Sequence, residues 1–482
     1  MQEENRTVLL EAAPAESLLE ALKRKNIFME GGCNGAGRCG RCLVRFVKAA
    51  PLPTAQERRF LTAMQLREGW RLACLHRCAR EYEVEVGFSE APKIQVVTET
   101  AAGAERASGR GAVQESAWCV AVDLGTTTIA MQARELESGA VLGEWVCMNP
   151  QRREGSDVIS RMQAAMAGRA RELSDCVCRA LEQGLESLRG QVAATGRYAP
   201  EPEGSFLAGN TVMEHLLLGL PVEGLSRYPF RPETLEEGQL CLKNGRVTLL
   251  PGFSAFVGAD LLAGVLATGL DRSAEPQLLV DLGTNGEMVL GCRDWLLCTA
   301  TAAGPAFEGG PGNQAPGTDL IAAIAALLRE GRMDETGLLA EPWFQTGADC
   351  RAKDAVIHID QADIRAVQMA KAAVYAGIRV LLQKAGLAPE QVERVWLAGG
   401  FGYFLDVKSA VEIGLFPEGL TGRIRAVGNT SLQGAWDYGR LSIKDGPETV
   451  RQRAEAMKAR CRAINLAEEA DFEEIYLEHI DL

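Results

Sequence analysis

No stretch of this 482-residue chain stays apolar for long. The longest uninterrupted run, Leu320 to Leu328, falls well short of the ~18–20 residues that a membrane-spanning helix needs. Positive charge is also scarce: 51 Lys and Arg against 64 Asp and Glu leave a net −13. That balance argues against nucleic acid as a partner and for solubility. A basic, apolar leader is lacking too, because the start, MQEENRTV, is acidic and polar. The sequence therefore predicts no signal peptide, no membrane partner and a cytoplasmic location. Cysteine, by contrast, is plentiful at 14, but spread over a chain this long it does not make a disulfide framework. Cysteines used in this way more often serve metals or catalysis.

The length suits about three domains on a loose prior of ~150 residues each. Residues 1–88 read as one small unit. It has a short amphipathic helix from Ser17 to Arg24 and alternating strands at 43–47 and 82–86. This front segment is slightly basic, while the remainder carries the acidity. Residues 89–117, rich in Ala, Gly, Ser and charge, read as a linker. Two further units are expected at 118–205 and 206–445, followed by a polar helical tail at 446–482. The clearest helix runs from about Ala362 to Lys384, with Asp360 to cap its start and Gly386 to end it.

The front unit holds its chemistry in one glycine-rich loop, GGCNGAGRCGRC. Cys33, Cys39 and Cys42 lie within it, and Cys74 follows Cys42 after 31 intervening residues. Four thiolates converging on two bridged irons make a 2Fe-2S site. The loop glycines let the backbone wrap such a cluster. Cys39-x2-Cys42 alone also suits half of a zinc knuckle or a thioredoxin-type pair. Zinc usually draws on two separated pairs, and the third cysteine in the same loop weighs for the cluster. Cys78 stands close to Cys74 as a rival fourth ligand.

The second motif occurs twice. Cys119-Val-Ala-Val-Asp123 runs into Leu-Gly-Thr-Thr-Thr, and Leu278-Leu-Val-Asp281 runs into Leu-Gly-Thr-Asn-Gly. Each is followed by two more strand-like segments, so the pattern is an internal duplication. Two related lobes facing each other across a cleft are its simplest meaning. A tight glycine turn after a strand offers backbone N–H groups and hydroxyls to phosphate oxygens. An Asp at the strand end can hold a hydrated Mg ion. A third glycine turn, Gly399-Gly-Phe-Gly402, follows another strand. One such turn could simply close an α/β crossover; three in this arrangement read as a nucleotide clamp.

Residues 1–88 resemble adrenodoxin-like and plant-like ferredoxin domains, which implies a ferredoxin-like β-grasp fold. The three turns resemble the superfamily of actin, sugar and acetate kinases and heat-shock chaperones, which implies a duplicated ribonuclease-H-like α/β body. That resemblance assigns catalytic roles to Asp123, Asp281 and Glu287. It assigns nucleotide contacts to Gly125, Thr126, Thr127, Thr128, Gly283, Thr284, Asn285 and Gly286, and adenosine contacts to Gly399, Gly400 and Gly402. Lys371 is a further candidate for the nucleotide. Asn149-Pro-Gln, Asp157-Val-Ile-Ser-Arg161, Gly209-Asn-Thr-Val-Met-Glu-His215-Leu-Leu-Leu-Gly219, Gly304-Pro-Ala-Phe-Glu-Gly309 and Asp363 to Ala373 resemble one family, the reductive activators of corrinoid proteins. His215, on an apolar helix, reads as a packed histidine rather than a ligand. The linker is shorter than in longer family members, and the 309–319 loop is unusually rich in Pro and Gly.

The family resemblance implies an ATP-dependent reductase. It would pass one electron from a 2Fe-2S cluster to the inactive Co(II) corrinoid of a methyltransferase-system protein and restore Co(I). ATP and Mg are the implied cofactors besides the cluster. A cobalamin-bearing corrinoid protein and an external low-potential electron donor are the implied partners, and a homodimer is the implied assembly. Two alternatives stay open. One is an ATP-dependent electron activator of another low-potential enzyme, although such activators carry their cluster cysteines inside the nucleotide domain. The other is a small-molecule kinase with a redox domain, for which the sequence offers no evident general base.

Overall fold

A computed structural model describes residues 6–86 apart from 12, 26, 28, 30–36, 38, 39 and 41, and residues 116–482 apart from 156, 197, 284, 305–316, 353 and 354. Most of the expected linker and of the 309–319 loop, together with Cys33, Cys39 and Thr284, lie outside the described residues. The chain forms two compact units. One comprises Met1–Ile94 with Pro150–Cys176, the other Gln95–Asn149 with Val177–Leu482.

In the first unit, strands β1 (Arg6–Leu10), β2 (Leu43–Phe46), β3 (Trp70–Leu72) and β4 (Tyr82–Val86) make a four-stranded sheet in the order β1-β4-β2-β3. Helix α1 (Leu18–Arg24) buries Leu18, Leu19 and Leu22 against it, beside Val44, Leu72 and Val84. The alternation seen in the sequence thus becomes one apolar face per strand. All three pairings in the sheet are antiparallel, and one helix packs on it.

The second unit contains two six-stranded sheets. The first uses β5 (Trp118–Leu124), β6 (Thr128–Glu135), β7 (Val141–Met148), β8 (Ser205–Gly209), β9 (Gly238–Leu242) and β10 (Gly245–Leu249), ordered β9-β10-β8-β5-β6-β7. The boundary expected at 205/206 is therefore corrected. Ser205–Gly209 pairs in parallel with β5, and the first lobe runs on through β10. The second sheet uses β11 (Gln277–Leu282), β12 (Gly286–Gly291), β13 (Leu296–Thr301), β14 (Arg394–Ala398), β15 (Ile424–Gly428) and β16 (Cys461–Ala463), ordered β15-β14-β11-β12-β13-β16. In both sheets the Asp-bearing strand has a parallel neighbour on one side and an antiparallel meander on the other. The duplication read from the turns extends through the whole sheet core.

Four helices fix the cleft. They are α2 (Thr211–Leu218), α3 (Ala259–Thr268), α4 (Gln361–Ala385) and α6 (Thr430–Asp445), with the short α5 (Gly399–Phe404) between the last two. Asp360 caps α4 by accepting from the Ala362 and Asp363 N–H groups, and Gly386 ends it at φ 67°. Helices α3 and α6 cross at Gly434, where a Cβ would lie 1.9 Å from the Ala263 carbonyl oxygen. Their backbones touch because no side chain intervenes. The segment after 446 is more than a helical tail: α7 (Pro447–Arg460) and α8 (Ala470–Glu478) flank β16, which pairs in parallel with β13. Ile464 and Leu466 complete a core there, which a purely polar tail could not do. Among the described residues no helix is long and apolar enough to cross a membrane.

Candidate functional site

The site in the second unit begins at two strand ends. Asp123 closes β5 and Asp281 closes β11, each one residue before the end of its strand. Their parallel neighbours, β8 and β14, end in Ala208-Gly209-Asn210 and Ala398-Gly399-Gly400, with Ala208 beside Asp123 and Ala398 beside Asp281. Gly399 has to be glycine: its φ is 89°, and a Cβ would lie 2.7 Å from Asp281 Oδ1. The first turn is closed by Asn149, whose Nδ2 donates to the Gly125 carbonyl at 2.8 Å and whose N–H donates to the Thr127 carbonyl at 2.8 Å. In the second turn the Gly283 N–H donates to the Asn285 carbonyl at 3.0 Å, and a Cβ on Gly283 would meet open space.

The lobes exchange side chains. Asn429, from the second lobe, donates to Asp123 Oδ2 at 2.7 Å, and the Ser431 hydroxyl donates to Oδ1 at 2.8 Å. Asn210, from the first lobe, donates to Glu287 Oε1 at 3.0 Å. Each asparagine also caps a helix, α2 for Asn210 and α6 for Asn429. Both sit in the same tripeptide, Gly209-Asn-Thr211 and Gly428-Asn-Thr430. That repeat was visible in the sequence and was the signal for this crossed pair.

Two carboxyl groups join the expected three. Asp260 is in the first turn of α3, and Glu214 is in the first turn of α2. Burial, followed by the charges of Asp260 and Asp123, pushes Asp281 up to about 7. Burial and then Asp123 lift Asp260 to about 7. Glu287 is raised well above the ordinary range by burial and by Asp260, Asp281 and Asp123, and Glu214 by burial and Asp260. Asp123 is raised by burial, and its bonds from Asn429 and Ser431 oppose that. Carboxyls that raise one another in this way disfavour their own ionisation, and a divalent cation relieves the repulsion. The donor set fits Mg, whose usual protein ligands are one or two carboxylates alongside phosphate and water.

Not every expected residue joins. Lys371 is 2% exposed on α4, and its ammonium donates to the Asp481 carbonyl; burial lowers it to about 8. Its charge is felt by Asp481 rather than by the cleft carboxyls, which corrects its placement among the nucleotide contacts. His215 is packed, as expected: Nδ1 donates to the Thr211 carbonyl at 2.7 Å, and Nε2 accepts from the Glu233 N–H at 3.0 Å. Burial lowers its pKa, so it is neutral. Asp157 caps the helix Val158–Ala164, and Arg161 is buried on the Gly155 carbonyl.

In the first unit, Cys42 Sγ and Cys74 Sγ stand 3.2 Å apart. Two thiolates at about 2.3 Å from one tetrahedral metal stand about 3.8 Å apart, so the pair is near enough to share a metal after a small separation. Gly37 and Gly40 hold φ near 70° in the loop, as a backbone wrapping a cluster requires. Cys78 is elsewhere, buried with its thiol donating to the Glu11 carbonyl at 3.0 Å. Of the two rivals for the fourth ligand, Cys74 thus stands beside Cys42 and Cys78 does not.

Comparison with known proteins agrees with this layout. Residues 1–79 match the 2Fe-2S iron-sulfur cluster binding domain. Residues 118–273 match the RACo middle region, and residues 275–314 with 313–482 match the C-terminal domain of RACo, the ASKHA domain. The chain belongs to the RACo family. The RACo domains thus account for both lobes of the cleft, and the fold is a ferredoxin-like domain followed by an actin- and sugar-kinase-like body. The chain is 31% identical over 384 residues to the corrinoid activation enzyme RamQ of Eubacterium limosum, an alignment covering 66% of this chain and 63% of that protein. It is 26% identical over 248 residues to the [Co(II) methylated amine-specific corrinoid protein] reductase of Methanosarcina barkeri, covering 40% and 44%. The chain thus spans less than two thirds of the length of these curated relatives. Among solved structures, a reductive activator for corrinoid, iron-sulfur protein superposes with a TM-score of 0.66 at 24% identity, covering 98% of this chain and 96% of that one. That likeness speaks for the fold.

Proposed function

We propose that the protein is an ATP-dependent reductive activator: it passes one electron from its 2Fe-2S domain to the Co(II) corrinoid of a methyltransferase-system protein and restores Co(I). The observation that carries this reading is the joining, in one RACo chain, of a cluster-binding domain to a cleft whose lobes bond across to each other's carboxyls. A nucleotide between the turns would meet Gly125 to Thr128 on one side and Gly283 to Gly286 on the other, with Gly399, Gly400 and Gly402 flanking its adenosine. Asp123, Asp281 and Glu287 would hold Mg. Asp260, raised to about 7, is suited to orient and deprotonate an attacking water, and Glu214, raised by burial and by Asp260, would stand beside it. Mg-ATP, when bound, supplies the phosphoanhydride whose hydrolysis drives a change between the lobes.

Energetics explains the need for ATP. Plant-type 2Fe-2S clusters lie near about −400 mV, and the Co(II)/Co(I) couple is expected to lie lower. For one electron, each ~59 mV uphill costs tenfold in equilibrium, about 1.4 kcal/mol. A coupling free energy of about 1–3 kcal/mol between linked sites offsets a gap on the order of 100 mV. Asn210–Glu287 and Asn429–Asp123 supply such a link, because ligands on those carboxyls alter bonds that join the lobes. The test mixes the chemically reduced protein with a Co(II) corrinoid protein, with and without Mg-ATP, and follows the cobalt absorption. ATP-dependent appearance of Co(I) is expected. ATP turnover stimulated by sugars rather than by any corrinoid protein would overturn the assignment.

A further inference from the structure

The two segments that carry the candidate cluster ligands are gripped by one turn. Glu57 is fully buried. Its Oε1 accepts from the Leu72 N–H at 2.8 Å and lies 2.8 Å from His76 Nε2. Its Oε2 accepts from the Thr54 N–H at 2.7 Å, and Thr54 Oγ1 accepts in return from the Glu57 N–H at 3.1 Å. Leu72 and His76 bracket Cys74. The preceding residue reaches the opposite way: Gln56 Nε2 donates to the Gly37 carbonyl at 2.7 Å, within the loop that carries the other three cysteines. Gly37 in turn abuts the Cys74 segment, since a Cβ there would lie 2.6 Å from Leu75 Cδ2.

A carboxylate is costly to bury unless its oxygens are bonded. Burial pushes Glu57 up, but the Thr54 and Leu72 N–H groups and His76 outweigh it and leave the carboxyl below its ordinary range. The cations facing it are Arg71 and, near Arg71, Arg58. Arg71 is itself tied to the carbonyls of Pro51, Leu66 and Trp70. An apolar residue at position 57 would leave the Leu72 and Thr54 N–H groups unpaired. The carboxylate thus ties the Cys74 segment to the Gln56 turn and places a charge there as well.

We propose that Gln56 and Glu57 are positioning residues for the cluster: the turn fixes the separation between the three-cysteine loop and the Cys74 segment, and Glu57 sets one negative charge beside the centre that receives the electron. Hydrogen bonding and charge around the ligands set a cluster's potential. A fixed negative charge disfavours adding an electron, so it makes the reduced centre a stronger donor. The inference rests on the 2Fe-2S reading, which iron and sulfide content of the reconstituted wild-type chain tests separately.

The experiment uses the full chain, reconstituted anaerobically. Glu57→Gln keeps the shape and one acceptor oxygen but removes the charge. It is expected to shift the reduction equilibrium about tenfold toward the reduced cluster, ~59 mV upward for one electron, and to change the EPR signal. Gln56→Ala leaves the charge in place. It is expected to leave the potential within about threefold in the same equilibrium, yet to release iron to a chelator about tenfold faster, comparable to the loss of an outer-shell partner. His76→Gln retains a donor toward Glu57 and is expected to keep the wild-type release rate. Wild-type potential, EPR signal and release rate in both Glu57→Gln and Gln56→Ala would overturn the proposal. So would a misfolded Glu57→Gln alongside a Gln56→Ala that matches wild type in every measurement.

Discussion

The two lobes of the second unit share strand order, an Asp-Leu-Gly-Thr turn and a Gly-Asn-Thr cap, yet their aspartates live differently. Asp123 is held by Asn429 and Ser431, which follow β15 of the second sheet and begin α6, a helix packed on β5 and β8. Asp281 has no such partner among the described residues, and burial with its acidic neighbours raises it to about 7. Duplication supplied two similar carboxyls; divergence around them tied one by hydrogen bonds and set the other among acidic neighbours. A half-buried carboxyl crowded by acidic neighbours is costly in the empty protein, and a bound cation would offset that cost.

The comparison breaks most visibly in turnover. Asp281→Asn is expected to lower Mg-ATP hydrolysis by roughly 10²–10³-fold, the scale seen when one preorganised electrostatic group is removed. It should leave the empty fold as stable as wild type or more so, because a repelled carboxyl is gone. Asp123→Asn is expected to lower turnover and stability together, since the new amide meets the Asn429 and Ser431 donors with an NH2 group of its own. Steady-state phosphate release and urea denaturation check the pair; equal stability effects would show the two carboxyls to be equivalent.

A smaller effect separates the crossed asparagines from ordinary caps. Asn429→Ala removes both the α6 cap and the bond to Asp123, for a loss of about 2 kcal/mol when the terms of about 1 kcal/mol each are added. Ser431→Ala removes only one hydrogen bond and is expected to cost about 1 kcal/mol. Chemical denaturation of both variants reads the difference.

A further effect is in pH. Asp281 and Asp260 have folded values near 7, above the ~3.9 of an unfolded aspartate. Between these values the folded state binds more protons than the unfolded one, so stability falls as pH rises from about 4 through 7. The nucleotide-free protein is expected to melt at a higher temperature at pH 6 than at pH 8, with the gap narrowed by Asp281→Asn and by Mg-ATP. A melting temperature that rises over the same interval in the empty wild type would contradict the raised carboxyls.

Much of this architecture was legible in the chain. The cysteine spacing, the strand alternation and the paired Val-Asp-Leu-Gly-Thr turns each express a local rule, so residue order alone exposes them. Asp260 and Glu214 were not legible: each is a lone acid near a helix start, and only the parallel pairing of β8 with β5 brings those helices to the cleft. Lys371 misled for the converse reason. Its place on an amphipathic helix suited a ligand contact, but the chain's last residues fold back to cover it. The end of the first lobe was missed because β8 is fully buried and carries no alternation to mark which sheet it joins.

The bare crossing of α3 and α6 at Gly434 and Ala263 has one more effect. Two helices whose main chains rest directly on each other can swivel about the point of contact, but sliding would drive a Cβ into a carbonyl. A methyl added at Gly434 would wedge the pair apart at that point, and α6 would lift from β5 and β8, on which it lies.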